Sequence, residues 1–240
     1  MSKREISDKD ADLQNRKKKR RKKLLYWLAI DLSVAFIIFA LLLYKPGRYK
    51  PVDSPEISES NEDEVSPFLL KITSEVNNKA PLGKPFEVVV TQEAINDIIN
   101  RAGWPMESDG IILDAPAALI VPDSVVLMGT ARFQGIEFII TLELNAKINE
   151  EGRININVQK IKVGAVNITP LAKIAAKKMY AERFANIGDI DSYTWQSKVA
   201  ASLLNEESFD PAFEIGNKTV SVDKITIEEG KLTIYMVPKK

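Results

Sequence analysis

The sequence predicts an α+β protein: one N-terminal transmembrane helix followed by a curled, mostly antiparallel sheet wrapped with three or four helices. Three observations carry this. Residues 24–44 are a nearly unbroken apolar run, residues 111–168 alternate apolar and polar with a period of two, and helix-start signals at Ser66-Pro67 and Thr169-Pro170 bracket that alternation.

The apolar run reads LLYWLAIDLSVAFIIFALLLY. As a helix, 21 residues span about 32 Å at roughly 1.5 Å each, which matches a hydrocarbon core of about 30 Å. Thirteen Leu, Ile, Phe or Val side chains favour insertion by about 4–8 kcal/mol, against about 2.5–3.5 kcal/mol opposed by Asp31. Asp31 is a candidate contact for a partner helix in the membrane; the other reading is a carboxyl that is protonated, or hydrated from the nearer interface. Tyr26, Trp27 and Tyr44 stand near the ends, where aromatic rings prefer the headgroup level.

The flanks give a direction. Eleven Lys/Arg against four Asp/Glu in residues 1–23 leave +7, and 22 against 29 in the remainder leave −7, although the whole chain is neutral. The run Arg16–Lys23 lies directly before the apolar helix. The excess of bases puts the N-terminus in the cytoplasm and the rest outside, in the cell membrane as a single-pass protein. The expected organisation is a basic cytoplasmic tail at 1–23, a transmembrane helix at 24–44, a Pro/acidic linker at 45–65 and an extracytoplasmic α+β domain at 66–240. Residues 1–15 are polar without periodicity and are expected to be disordered. Pro46, Pro51, Pro55 and the acids from Glu56 to Glu64 predict an extended spacer.

In the domain, Ser66 caps a helix with Phe68, Leu69, Ile72 and Val76 on one face, ended by Pro81 and Pro85. Phe86–Val90 is a short strand. Thr91 caps a helix whose buried stripe is Ile95, Ile98, Ile99 and Ala102. In the alternating region Val125, Leu127, Gly129, Ala131 and Phe133 face one way. The clearest strand is Ile136–Ile148, where Ile136, Phe138, Ile140, Leu142, Leu144, Ala146 and Ile148 share a face and Ile139 is the exception. This is the pattern of an antiparallel sheet wet on one side. Glu150-Glu151-Gly152 is a hairpin turn, and the parity change from Val158 to Ile161 predicts a bulge near Gln159–Lys160. Thr169 is expected to cap a helix over 170–186 with Leu171, Ile174, Ala175 and Met179 inward. Asp191 or Ser192 is expected to cap another over 193–205. Strands at 213–215, 219–227 and 231–237 close the chain, with a turn at Glu228-Glu229-Gly230.

Catalytic chemistry is sparse. The chain has no Cys and no His, which excludes thiolate or imidazole zinc sites, cysteine nucleophiles and His-based triads. It has no P-loop, G-x-S-x-G or G-x-G-x-x-G. The acid pairs, such as Glu150-Glu151 and Glu228-Glu229, fall mostly in turns. No catalytic residue, metal ligand or cofactor is assigned. The domain lacks a basic stripe, so no nucleic-acid partner is expected. What remains is apolar surface. The row Phe138, Ile140, Leu142 and Leu144, with Ile174 and Met179 opposite, is a candidate groove for an apolar ligand; a plain filled core is the other reading.

The chain resembles the YpmS-like family of single-pass bacterial envelope proteins, and more broadly the tubular lipid-binding (TULIP-like) domains. The residues that carry the resemblance are Thr91-Gln92-Glu93-Ala94-Ile95-Asn96, the passage Gly164-Ala165-Val166-Asn167-Ile168-Thr169-Pro170 after the strand Ile154–Val163, and the closing hairpin Val220–Ile227, Gly230, Leu232–Met236. It covers roughly residues 86–237 and the N-terminal anchor. It implies a wrapped sheet facing the envelope, acyl-chain binding and no catalytic residues. The expected function is a membrane-anchored domain that binds or shields lipid or another apolar envelope molecule. The alternative is a closed-core scaffold for an envelope complex, with an envelope protein as partner.

Overall fold

A computed structural model describes residues 3–47, 49, 65–184, 190–216 and 218–239. The chain divides into two compact units, Met1–Leu42 and Leu43–Lys240. The first is one helix, α1 (Lys3–Leu42). Its window Leu25–Leu42 is long and apolar enough to cross a membrane, and none of that window is buried in the protein. Helix from Lys3 onward replaces the disorder expected for residues 1–15. No Gly or Pro occurs before Pro46, and the stretch runs without a break into Arg16–Lys23, made wholly of Lys and Arg, which are good helix formers. Asp31, Tyr26, Trp27 and Tyr44 are all exposed.

The second unit is α+β. Among the described residues it has four α-helices and eleven strands in two antiparallel sheets. The helices are α2 (Pro67–Lys79), α3 (Gln92–Asn100), α4 (Thr169–Phe184) and α5 (Trp195–Asn205). The smaller sheet runs β1 (Phe86–Thr91), β11 (Lys231–Pro238), β10 (Lys218–Glu228), β9 (Ala212–Ile215). The larger joins β2 (Met106–Ser108), β3 (Ile111–Leu113), β5 (Ser124–Phe133), β6 (Ile136–Ile148), β7 (Ile154–Val163) and β8 (Val166–Asn167), with β4 (Ala117–Val121) also on β5.

Two open sheets stand where a single curled one was expected. The reason lies at the free edge of β4. Asn96 of α3 accepts from the Ala118 N–H at 2.6 Å and donates to its carbonyl at 3.0 Å, and Gln92 accepts from the Ile120 N–H at 3.0 Å. Side chains therefore occupy the positions where another strand would have continued the ladder. The hairpin of β10 and β11 packs against β4 without joining its ladder: Gly230 N–H bonds to the Ile120 carbonyl, and Asp123 N–H, in the turn after β4, to the Ile227 carbonyl.

Several local signals act as their chemistry predicts. Ser66 accepts from the Leu69 N–H and Thr91 from the Ala94 N–H, each at 3.3 Å. Glu143 pairs Lys160 and Leu144 pairs Val158, so Gln159 is the extra residue of a bulge. That bulge returns Ile161 to the same face as Leu142. Gln134 and Gly135, at φ 50° and 78°, close the β5–β6 hairpin in two residues.

Other signals are used differently. Thr194, not Asp191 or Ser192, caps α5, accepting from the Ser197 N–H at 3.4 Å. Asp191 is engaged by the Asp210 N–H and the Arg153 guanidinium. Thr169 serves the sheet rather than its helix: its hydroxyl accepts from the Ile161 N–H of β7 at 2.8 Å. Helix α2 buries none of its residues, and Phe68 and Leu69 are exposed. Of the spacer predicted at 45–65, Lys45 pairs with Glu137 at 3.2 Å and the Tyr49 hydroxyl meets that of Thr130 at 2.8 Å. Its acidic stretch, 53–64, lies outside the described residues.

The main core joins the smaller sheet to one end of the larger. Ile154, Phe184, Ile190, Ala201, Phe209 and Val222 are buried there, with Tyr180, Leu204, Phe213 and Ile234 packed against them.

Candidate functional site

Register assigns each residue of the large sheet to a face, because directly paired antiparallel residues point the same way. Phe133 pairs Ile136, Ala131 pairs Phe138, Gly129 pairs Ile140, Leu127 pairs Leu142 and Val125 pairs Leu144. Across β7 the same face continues through Val163, Ile161 and Val158, and across β3 through Ile111 and Leu113. One face is thus apolar over four strands. Gly129 admits the β3–β4 connection: a Cβ there would meet the Pro116 side chain at 3.4 Å.

This apolar face is only partly covered. Phe138, Ile140, Leu142 and Leu144 are all half-buried, and Ile111, Phe133 and Ile136 are exposed, Phe133 by 41%. The buried residues of β6 belong to the other row: Ile139 is 2% exposed, and Asn145, which donates to the Asp123 carbonyl, is also buried. Along β6 the fully buried positions thus lie on the face expected to be wet; on the face expected to be the core, Ala131 and Ile154 are buried and the row between them stands half open.

Where helices do cover the apolar face they leave a slot of about 200 Å³. Leu142, Val158 and Ile161 form its floor, Ala172 and Ala176 of α4 one wall, and Leu203 and Leu204 of α5 the other. Lys173 and Lys177 stand at its rim. Lys173 is paired with Glu206 at 2.5 Å; Lys177 has no ion pair among the described residues.

Of the residues singled out in the sequence, Leu142 lines this slot, and Phe138, Ile140 and Leu144 share its row. Ile174 and Met179 do not lie opposite them. They are 69% and 56% exposed, on the outer side of α4 with Leu171. The reason is a helix apolar on two sides. Ala172, Ala176, Tyr180 and Phe184 recur every four residues and take the inward position, because small alanines admit close approach to the sheet and the two rings reach the core. Val158 and Leu203–Leu204 were visible only as parts of apolar stripes; the bulge and the alanine spacing were the signals that could have placed them.

A second cavity, of about 450 Å³, lies on the opposite face of the sheet. Leu119, Val121, Val126 and Met128 give it an apolar wall, and Thr141, Glu143 and Lys162 a polar one. Tyr44, Pro46 and Gly47 border it. In the sequence Thr141 and Glu143 read as a solvated row and residues 45–47 as spacer, so nothing there marked the site.

One charged network sits beside the core. Asp191 meets Arg153 at 2.8 Å and the buried Lys198 at 3.9 Å. Asp210 meets Lys239 at 2.9 Å, and the ammonium's hydrogen bond holds this carboxyl below its ordinary 3.8. The network ties α5 to the β7 turn and the last strand. Among the described residues no group of Asp or Glu is arranged to hold a metal ion.

No family model, no curated protein and no solved structure matches this chain, so the resemblance to the YpmS-like and tubular lipid-binding families rests only on the residues that suggested it.

Proposed function

We propose that α1 anchors the chain in a membrane with the N-terminus in the cytoplasm, and that the extracytoplasmic domain binds lipid or another apolar envelope molecule without catalysing a reaction on it. The observation that carries this reading is the half-open apolar face running from Phe133 and Ile136 to the slot at Leu142 and Ala176. A contiguous apolar patch of this kind in a soluble unit calls for an occupant. Completing the burial of a half-exposed Leu, Ile or Phe is worth about 1 kcal/mol, so covering six of them favours a ligand by roughly 6 kcal/mol before the entropic cost of binding. The slot is smaller than a whole lipid and suits one end of an acyl chain, with the remainder laid along the open row.

The test is photocrosslinking in the full chain, reconstituted into bilayers that contain a fatty acid bearing a diazirine near its methyl end. Labelled peptides are expected from α1, which meets lipid in any case, and also from the segments around Leu142, Ile161 and Leu203. Ala176→Trp, which fills the slot, is expected to abolish the second group and leave the first. Label confined to α1 in the wild type would overturn the reading. The alternative, a scaffold for an envelope complex, is favoured by one feature: the exposed outer stripe Leu171, Ile174 and Met179 of α4.

A further inference from the structure

The cavity on the opposite face of the large sheet is a different kind of site. Its volume, about 450 Å³, falls in the range of small-molecule pockets, and it sets a few polar groups against an apolar wall. Lys162 and Glu143 are half-buried and neither makes an ion pair among the described residues, although Glu143 lies directly across from Lys160. Among the described residues Glu143 meets only the Ser124 hydroxyl, at 3.5 Å. Thr141, the cross-strand partner of Lys162, has a buried hydroxyl with no hydrogen-bond partner. A half-buried cation, a half-buried anion and an orphaned hydroxyl thus converge on one cavity; the buried hydroxyl lacks a partner, and the two charges offer complementary contacts to an occupant that bears both signs.

The chain itself indicates where that occupant comes from. Tyr44, Pro46 and Gly47, which border the cavity, follow the end of α1 at Leu42 by only two to five residues. If α1 spans a bilayer, these residues stand at the level of the lipid headgroups.

We propose that this cavity is a headgroup site for an amine-bearing phospholipid. The phosphate lies against Lys162 and the Thr141 hydroxyl, and the headgroup ammonium against Glu143. The start of the acyl chains lies along Leu119, Val121, Val126 and Met128. The inference rests on the anchoring of α1. It is independent of the slot under α4, because the two lie on opposite faces of one sheet.

The experiment is native mass spectrometry of the full chain released from nanodiscs of phosphatidylcholine alone, or with added phosphatidylethanolamine or phosphatidylglycerol. The wild type is expected to retain one phosphatidylethanolamine more than Lys162→Gln does, at least tenfold in preference to phosphatidylglycerol. Lys162→Arg is expected to restore retention, which separates loss of charge from loss of fold. Glu143→Gln is expected to retain phospholipid but to lose the preference for the amine. Ala176→Trp is expected to keep the phosphatidylethanolamine that Lys162→Gln loses, whatever it does to lipid in the slot. Equal retention by the wild type, Lys162→Gln and Glu143→Gln overturns the site. Loss in Ala176→Trp of the same lipid that Lys162→Gln loses also overturns it, since that lipid then belongs to the slot and the reading of the slot survives. A chain that enters no nanodisc overturns both the anchor and this site while leaving the slot untouched.

Discussion

Phe209 shows how one side chain can organise a fold without announcing itself. It is fully buried, its N–H and carbonyl both bond to Ile154 at 3.0 Å, and the Trp195 ring meets it edge-on at 5.3 Å. Phe209→Ala is expected to cost about 3–5 kcal/mol in urea unfolding followed by Trp fluorescence, with Phe209→Leu costing much less; a loss below about 1 kcal/mol would show that the core lies elsewhere. In the sequence Phe209 stands alone between Glu206-Glu207-Ser208 and Asp210-Pro211, with no periodic neighbours. No pattern of spacing could reveal it, since its importance comes from contacts with residues far along the chain. Tyr180 makes a subtler prediction. Its hydroxyl donates to Glu207, and that bond, with some burial, raises the phenol above its ordinary 10.0. The fold therefore favours the protonated phenol. Its contribution is complete below pH 10.0 and is lost as pH rises through the folded value. Between pH 9 and 11 the urea midpoint of the wild type should fall more steeply than that of Tyr180→Phe, and parallel profiles would exclude the bond.

At the scale of elements, legibility depended on how local the cause was. Ser66, Thr91 and the Gln159 bulge were readable because a cap or a parity break is decided within four residues. The orientation of α4 was not, because Leu171, Ile174 and Met179 on one side and Ala172, Ala176 and Tyr180 on the other give two apolar stripes. Which one faces inward is settled by contacts distant in sequence: Tyr180 and Phe184 reach the core, and Ala172 and Ala176, on the same side, bring the helix onto the sheet. The outer edge of β7 was equally hidden. Past β8 it pairs with no strand among the described residues, and borrowed groups close it: Thr169 takes the Ile161 N–H, Phe209 bridges Ile154, and the fully buried Ser202 of α5 takes the Ile156 N–H at 2.8 Å. Such closure keeps an edge from templating aggregation. Ser202→Ala strands a buried N–H and is expected to lower stability by about 1–3 kcal/mol. Ser202→Thr, which keeps the acceptor but adds a methyl in a filled site, separates hydrogen bonding from packing. A Ser202→Ala protein as stable as the wild type would mean that water reaches β7 there.

For the whole molecule the decisive asymmetry is electrostatic, and it can be tested directly because the chain contains no cysteine. Residues 1–23 carry +7 beside an apolar helix and the rest carries −7. Moving the basic end across a bilayer would drag a dense cluster of hydrated cations through hydrocarbon, whereas leaving it on the side of synthesis costs nothing and gains attraction to anionic lipid. A single cysteine introduced at Glu151, in the exposed β6–β7 turn, should react with a membrane-impermeant maleimide on intact cells. One introduced at Asp8 should react only after permeabilisation. Replacing the bases of Arg16–Lys23 by Gln should make the two patterns mix, since the remaining apolar helix fits a bilayer in either direction. If instead the Asp8 site labels on intact cells, the orientation is reversed. The apolar face and the cavity at Lys162 would then lie in the cytoplasm, and the lipid proposed for each would come from the inner leaflet. If both sites label only in lysates and the protein pellets with no membrane, α1 is not an anchor. The exposed apolar side chains from Leu25 to Leu42 would then need a protein partner to cover them, because water would not leave them bare.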